Sequence, residues 1–187
     1  MKIFAAIDLE TSGLDVSKGE ILDIAIVPLN QDFTISKDVP EFTARVKAEH
    51  PETAEIQALQ VNRLNPNEGE RREKVTADIR QWLADNDIES ITPVGQNLDF
   101  DLRFIAKEFP ELSKIIRRHG RDSMRLALAI NDIALRDNGE PRFEKVSLTA
   151  LKDALAITGE VQHNAFEDAK DTALVYRKLL GLLSLES

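Results

Sequence analysis

The sequence has 187 residues and no cysteine, and 42% of its residues are hydrophobic. This length and apolar fraction fit one globular domain over residues 1–187, and the missing thiols exclude disulfides, zinc–thiolate sites and cysteine nucleophiles. The formal charge of −9 argues against a broad nonspecific binder of duplex nucleic acid, which ordinarily carries a basic face.

The pattern along the chain predicts strands first and helices afterwards. Apolar or alternating runs predict strands at 2–9, 20–29 and about 40–48, with short polar links that suggest an antiparallel meander. Helices are predicted around 53–60 and at 70–84, 98–109, 111–117, 122–135, 147–156 and 164–183, with a short strand at 91–94 and a mobile loop at 136–145. We expect Asn97 and Ser147 to cap the helices that follow them. This order predicts an α/β fold in which helices cover a mixed sheet.

Two acidic residues stand at the end of the first predicted strand. Asp8 closes the apolar run 3–7, and Glu10 follows two residues later. Side chains alternate along a strand with a period of two, so the two carboxylates lie on the same face. We therefore expect a pair of acids at this strand end.

Two further acids lie on the apolar faces of predicted helices. Asp101 is three residues after Leu98 and four before Ile105, which places it on the stripe that those residues form. Asp168 is three residues after Ala165, on the inner face of the last helix. Like charges held together in a poorly solvated place repel one another unless cations neutralise them. The acids therefore suggest a site for divalent metal ions.

A histidine accompanies the last of these acids. His163 lies five residues before Asp168, at the start of the same predicted helix. Mg²⁺ prefers oxygen ligands and keeps several waters, so a few carboxylates and substrate phosphate oxygens suit it. Two such ions can hold an attacking water and a leaving oxygen on either side of one phosphorus, and a nearby imidazole can take the proton of that water. The five residues thus indicate phosphodiester hydrolysis, with His163 as the candidate base.

Three segments resemble the motifs of one family. IDLETSGL resembles the first motif of the DEDD-type 3′→5′ exonucleases, Asp-x-Glu-Thr-(Thr/Ser)-Gly; NLDFD resembles the second, Asn-x-x-Phe-Asp; and HNAFEDA resembles the third, His-x-Ala-x-x-Asp-Ala. The match is to the histidine branch, the DnaQ-like group that includes polymerase proofreading subunits, ribonuclease T and oligoribonuclease. All three motifs occur in the family's order, and the resemblance covers nearly the whole chain.

The resemblance implies a ribonuclease H-like fold, with a mixed five-stranded sheet in which an antiparallel meander precedes parallel strands and helices flank both. It also implies two divalent cations, Mg²⁺ or Mn²⁺. By motif position Asp8 would bridge both ions, and Glu10 and Asp168 would complete the ion that holds the nucleophilic water. Asp101 would serve the second ion directly or through water, and His163 would take the proton.

Contacts with the substrate follow from the same resemblance. Thr11 and Leu14 match positions where the family touches the terminal nucleotide, with the backbone near Thr11 at the 3′ end and the apolar side chain at the base. Packing within the turn is the alternative role for Leu14. The family often has His-Asn before the second aspartate, whereas this chain has Gln96 and Asn97 there. Gln96 can donate a hydrogen bond to the substrate but carries no charge.

The predicted function is a stand-alone 3′→5′ exonuclease that trims single-stranded ends and releases nucleoside 5′-monophosphates. DNA is slightly favoured, since LETSG and NLDFD look like DNA-trimming and general DnaQ-like members. Oligoribonuclease-like trimming of RNA is the alternative, because DLRFIAKEFPEL and the compact length resemble that enzyme. Two other classes stay open, a noncatalytic polymerase-accessory module and a metal-dependent phosphatase acting on mononucleotides. A noncatalytic module would be expected to have lost an acid or the histidine, and all five are present.

The predicted partners are single-stranded 3′ ends, and a polymerase or a second copy of the chain is left open. No run has the length of a membrane helix and the N-terminus has no signal-peptide pattern, so we expect a cytoplasmic protein with no membrane partner. Two basic clusters stand out within the acidic total. A solvated helix face is the simplest interpretation of each cluster, and the cluster at 117–125 has the better claim to bind phosphates. The 117–125 cluster contains Arg117, Arg118, His119, Arg121 and Arg125, and the 71–74 cluster contains Arg71, Arg72 and Lys74.

Overall fold

The computed structural model describes residues 1–159 and 163–184. A sheet forms its centre, with the strands β1 (Lys2–Thr11), β2 (Ile21–Leu29), β3 (Phe42–Arg45), β4 (Ser90–Gly95) and β5 (Arg121–Asp122). The spatial order is β3-β2-β1-β4-β5. The first three strands pair antiparallel, whereas β4 pairs parallel with both β1 and β5. The predicted mixed five-stranded sheet, a meander followed by parallel strands, is confirmed.

Helices flank this sheet, and they follow the predicted order. They are α1 (Ile56–Asn62), α2 (Arg72–Asp85), α3 (Leu98–Glu108), α4 (Pro110–Ile115), α5 (Ser123–Asn138), α6 (Leu148–Ala154) and α7 (Ala165–Ser184), with a 3-10 turn at Pro51–Thr53 before α1. Within the described ranges, none of these helices combines the length and the apolarity that a membrane crossing requires.

The two faces of the sheet bury different kinds of side chain. One face packs large aliphatic residues of β1 and β2 against α2 and α3, in a core that includes Ile7, Ile24, Val75, Phe104 and Ile105. The other face packs small residues against α7, in a core that includes Ala6, Ala25, Ala165, Ala169 and Ala173. All of β2 is buried, because it lies between β1 and β3 and is covered on both faces.

The alanines of α7 set how closely this helix lies on the sheet. Ala165, Ala169 and Ala173 recur every four residues and are at most 1% exposed. Residues at this spacing share one face of a helix, so the face that meets the sheet carries methyl groups over the first turns of α7, before Tyr176. The first turn of α7 can therefore approach the ends of β1 and β2.

One expected cap is wrong, and one expected loop has different bounds. Asn97 has a left-handed backbone (φ 56°), and its side chain does not cap α3. Instead the carboxylate of Asp122 accepts the backbone N–H of Leu98 at 2.9 Å. The predicted mobile loop starts later, because α5 extends to Asn138, and it is anchored at Phe143, whose backbone N–H and C=O both bond to the side chain of Asn131 at 2.8 Å. The Ser147 cap on α6 is confirmed.

Candidate active site

The carboxyl end of β1 carries the first pair of acids. Asp8 and Glu10 are both half-buried and lie opposite Ala25 and Asp23 of β2. The register of the ladder shifts between Glu10 and Thr11. An irregularity of this kind turns the strand and re-aims its side chains, which is common beside functional sites. The predicted pair of acids therefore sits where β1 leaves the sheet.

Asp101 reaches the same place from α3. This helix starts directly after β4, which runs parallel to β1, so its first turn lies at the carboxyl edge of both strands. Asp101 is in that first turn and is 4% exposed, as its position on the apolar stripe predicts. Its carboxylate accepts the backbone N–H of Leu9, the residue between Asp8 and Glu10. That hydrogen bond ties the helix to the strand end.

The start of α7 brings the last two predicted residues. Asp168 lies in the first turn of α7 and is 5% exposed, whereas His163 is exposed and has a left-handed backbone (φ 49°). One ligand atom each from Glu10, His163 and Asp168 lie within 4.8 Å of one another. Residues that are far apart in the chain are thus brought together on the end of β1.

The electrostatics of the site show how closely the acids converge. Burial is the main cause that raises the pKa of Asp8 well above its usual value, and the charges of Asp101, Asp168 and Glu10 raise it further. Burial raises the pKa of Glu10 to about 7, with Asp168 contributing next. Burial also raises the pKa of Asp101. The four predicted acids therefore act on one another as a single cluster.

A fifth acid belongs to this cluster, and the motifs do not reveal it. Asp23 faces Glu10 across the ladder, is 7% exposed, and adds to the charges that raise the pKa of Asp8 and of Glu10. Burial raises its own pKa to about 6, against the charge of Arg45 and a hydrogen bond from the backbone N–H of Ala165. The available signal was an acid inside the apolar run ILDIAIV, a position that strands rarely give to a charge.

Asn62 is another residue that sequence reasoning missed. It is buried at the end of α1, and its side-chain amide donates to the backbone C=O of Thr11 at 3.0 Å. The same side chain hydrogen-bonds the carboxylate of Glu10, which lowers the pKa of that acid against the effect of burial. Asn62 thereby holds the strand end where the register shifts.

The donor set fits the divalent cations that the resemblance implies. The converging groups include carboxylate oxygens, the ligands that suit Mg²⁺ and Mn²⁺, and one imidazole, which is left to act as a base. Buried carboxylates that raise one another's pKa are stable as charged groups when a cation neutralises them. Asp8, Glu10, Asp101 and Asp168 are the residues that would hold the ions.

A cavity of about 360 Å³ opens beside these acids. Its lining includes Glu10, Thr11 and Leu14, together with Val61 and Phe100. Leu14 is 73% exposed, so its side chain has little packing within the turn. Thr11 is buried and its hydroxyl donates to the C=O of Gly13 at 2.9 Å. The position of Leu14 favours a contact with a bound molecule over the packing alternative.

Gln96 and Asn97 do not line that cavity. Gln96 donates to the C=O of Val146 at 2.7 Å and accepts a hydrogen bond from the hydroxyl of Ser123. Its side chain thus joins the loop before α6 to the start of α5. Asn97 is exposed at the start of α3. The substrate contacts assigned to these two residues stay predictions.

The raised pKa values predict how the stability of the metal-free protein depends on pH. The pKa of Glu10 rises from 4.5 to about 7 and that of Asp23 from 3.8 to about 6. The folded state therefore binds more protons than the unfolded state between these values, and stability that is present at low pH is lost as the pH rises through about 7. In EDTA, we expect a lower melting temperature at about pH 8 than at about pH 5.5.

A variant without the Glu10 charge is the control for this pH effect. Glu10→Gln cannot ionise, so its melting temperature should fall less over the same interval. The measurement is a set of thermal melts of both proteins in EDTA. Equal falls for the wild type and for Glu10→Gln would contradict the assignment.

Comparison with known protein families and with curated proteins gives two findings. A family model described as an exonuclease, RNase_T, matches residues 5–176. No curated protein matches the chain.

Several solved structures share the fold at low sequence identity. E. coli Exonuclease I in complex with a dT13 oligonucleotide aligns with a TM-score of 0.74 and 16% identity, over 99% of this chain and 43% of that one. Exonuclease I from Methylocaldum szegediense aligns with a TM-score of 0.72 and 16% identity, over 97% and 41%. Cell-death related nuclease 4 (CRN-4) aligns with a TM-score of 0.68 and 14% identity, over 97% and 64%. The present chain spans less than half the length of the two Exonuclease I chains.

Proposed function

Because this chain belongs to the RNase_T exonuclease family, we propose that it hydrolyses phosphodiester bonds at single-stranded 3′ ends and releases nucleoside 5′-monophosphates. The observation that carries the proposal is the approach of Glu10, His163 and Asp168 to within 4.8 Å beside an open cavity. DNA is the favoured substrate. E. coli Exonuclease I, which shares the fold, is known in complexes with dT13 and with single-stranded DNA, the latter in a zinc-bound form.

The residues divide the proposed reaction between them. Asp8, Glu10, Asp101 and Asp168 would hold two divalent cations, which would supply Lewis-acid activation of a water and neutralise phosphate charge. His163 is exposed beside Glu10 and Asp168, so its imidazole can accept the proton of the attacking water and pass it to solvent. In this proposal the acids bind the cations, and the histidine accepts the proton.

The cavity supplies a place for the terminal nucleotide. Its volume, about 360 Å³, lies within the range of small-molecule sites, roughly 300–1,000 Å³. Leu14, Val61 and Phe100 offer apolar and aromatic surface to a base, and such contacts tolerate any base because every base has a π-face. Glu10 and Thr11 line the same cavity, so a 3′ end bound there would lie close to the acids.

A product ladder tests the proposal. The protein is incubated with 5′-labelled single-stranded DNA, single-stranded RNA, duplex DNA and dinucleotides, each with Mg²⁺, Mn²⁺ or EDTA. We expect stepwise shortening of single-stranded DNA from its 3′ end with either cation and no shortening in EDTA.

Purified Asp8→Asn protein in the same reactions controls for a contaminating nuclease and should form no ladder. Release of the 5′ label as a mononucleotide before any labelled strand of intermediate length appears would contradict the polarity. Faster shortening of RNA than of DNA would favour the ribonuclease alternative. A mononucleotide is tested as a further substrate, and hydrolysis of it alone would favour a phosphatase.

A further inference from the structure

The structure separates the two basic clusters of the sequence. In the 71–74 cluster, Arg72 forms ion pairs with Glu20, Glu49 and Glu108, and Lys74 pairs with Asp78 at 2.5 Å. Arg71 is exposed and forms no ion pair with any described residue, whereas these pairs neutralise the rest of the cluster from within the protein. Its position on α2 places it at the edge of the sheet formed by β3, because α2 packs against that strand.

The 117–125 cluster keeps most of its charge. Arg117, Arg118 and Arg121 form no ion pair with any residue in the described ranges, and Arg125 alone is paired, with Asp99 and Asp122. Arg118 is exposed, and Arg121 lies with its guanidinium carbon 6.0 Å from the ring centre of Phe4. Although Asp99 and Asp122 lie beside it, this region still has more arginines than acids, in a chain of formal charge −9.

Three of these arginines line one groove. The arginine groove, as we call it, has a volume of about 290 Å³ and is lined by Arg118, Arg121 and Arg125 with residues of α3, α5 and α7. It lies along β5, the edge strand at the opposite side of the sheet from β3. Asp99 and Asp122 also line it, but both pair with Arg125, so the other two arginines are left for a ligand.

Close packing fixes the groove to the helix that carries Asp101. A Cβ on Gly120 would lie 2.2 Å from a methyl carbon of Leu98 and 3.1 Å from the backbone oxygen of Pro93, so this turn packs closely against α3 and β4. Asp122 then accepts the backbone N–H of Leu98 at 2.9 Å and that of Met124 at 2.9 Å, which joins β5 to the starts of α3 and α5. Leu98 is three residues before Asp101. The groove and the acids therefore share one rigid support.

We propose that the arginine groove binds phosphates of the single strand upstream of the nucleotide that is being removed. This inference rests on the proposed function, since it assigns a path to the same substrate. A polyanion must approach an acidic protein, and guanidinium groups bind phosphate oxygens through paired, geometrically matched hydrogen bonds. Arg118 and Arg121 are the uncommitted guanidinium groups beside α3. Substrates long enough to reach the groove gain affinity from it, whereas a dinucleotide does not.

The experiment compares substrates of two lengths. We measure kcat/KM on a thymidine dinucleotide and on an oligothymidylate of about 12 nucleotides, a length within the reach of single-strand binding proteins. The length ratio is kcat/KM on the long substrate divided by kcat/KM on the dinucleotide. In the variant Arg118→Gln with Arg121→Gln, this ratio should fall by about tenfold at low salt. Each lost phosphate contact removes about 0.7 from the slope of log affinity against log salt, so the slope for the long substrate should flatten by about 1.4.

The control variant is Arg71→Gln with Lys74→Gln. It makes the same change in net charge at the opposite edge of the sheet, and its length ratio should equal that of the wild type. Because Arg121 packs near Phe4, the single variant Arg118→Gln at an exposed position is measured too, and its ratio should fall by about threefold. A wild-type ratio in both groove variants, or an equal fall in the control variant, would overturn the proposal.

A binding measurement separates this proposal from the proposed function. Binding of the labelled long oligonucleotide to the wild type and to each variant is measured by fluorescence anisotropy. Ca²⁺ replaces Mg²⁺ in this measurement, so that binding is recorded separately from cleavage. If the wild type cleaves neither substrate, the proposed function fails. Weaker binding in the groove variants alone would still support the groove, and equal binding in all variants would refute it.

Discussion

Replacing Asp101 with Asn is expected to reduce turnover by about 10³-fold or more, while the metal-free fold stays at least as stable as the wild type. The loss of activity follows from the removal of a carboxylate that would hold a cation. The stability follows from the surroundings of Asp101, which is 4% exposed and whose pKa is raised chiefly by burial. An amide keeps the acceptor for the N–H of Leu9 without the cost of a buried charge.

Thermal melts with and without metal measure how Asp101 affects the stability of the metal-free fold and the stabilisation by bound metal. In EDTA at about pH 8, Asp101→Asn should be as stable as the wild type or more stable by about 1 kcal/mol. Saturating Mg²⁺ should reverse the order, because a ligand present at about 100 times its Kd adds about 2.7 kcal/mol to the wild-type fold and less to a variant that lacks a ligand. A variant less stable in EDTA, with an equal rise in Mg²⁺, would show that Asp101 is a structural hydrogen-bonding acid.

Replacing His163 with Ala is expected to lower kcat by about 10²-fold or more, with Mg²⁺ binding largely intact. The reason is that His163 supplies the proton acceptor while the carboxylates hold the cations. Its left-handed backbone (φ 49°) complicates this change, because alanine disfavours that conformation. His163→Asn tolerates the conformation and removes the base, so it should lose as much activity as His163→Ala.

The Mg²⁺-induced rise in melting temperature reports metal binding in both variants. His50→Ala is the matched control, since His50 is exposed, lies outside the site and pairs only with Glu52 at 3.3 Å among ion pairs in the described ranges. Its kcat should equal that of the wild type. If either variant of His163 turns over at the wild-type rate near neutral pH, the water loses its proton by another route.

The sequence predicts the elements of this fold where local pattern decides them. The apolar run of β2 and the amphipathic patterns of the helices are local, and they predict the ends of those elements to within a few residues. β5 is a two-residue strand, Arg121–Asp122, and no periodicity can reveal an element that short. The cap of α3 is missed for a different reason. Its acceptor, Asp122, lies 24 residues after Leu98, so only the folded chain brings the two together.

The site shows the same division between local and long-range information. Strand periodicity predicts that Asp8 and Glu10 share one face, and helix periodicity predicts that Asp101 and Asp168 face inward. The structure brings the four together. Asp23 is not predicted as a site residue because it belongs to no motif. Only the pairing of β1 with β2 places it opposite Glu10. The cavity needs α1 as well, since Val61 and Asn62 complete its wall. Sequence spacing alone does not indicate which surface α1 will meet.

The alanines in the first turns of α7 have a consequence for how such chains should be classified. Asp168 is flanked by Ala165 and Ala169, and both are fully buried against the sheet. A larger side chain at either position would push the helix outward and carry its carboxylate away from the other acids, because packed interiors have little free volume. A homologous chain could thus keep every acid and the histidine and yet have no working centre. Inventories of catalytic residues will count such a chain as active unless they also require the two alanines.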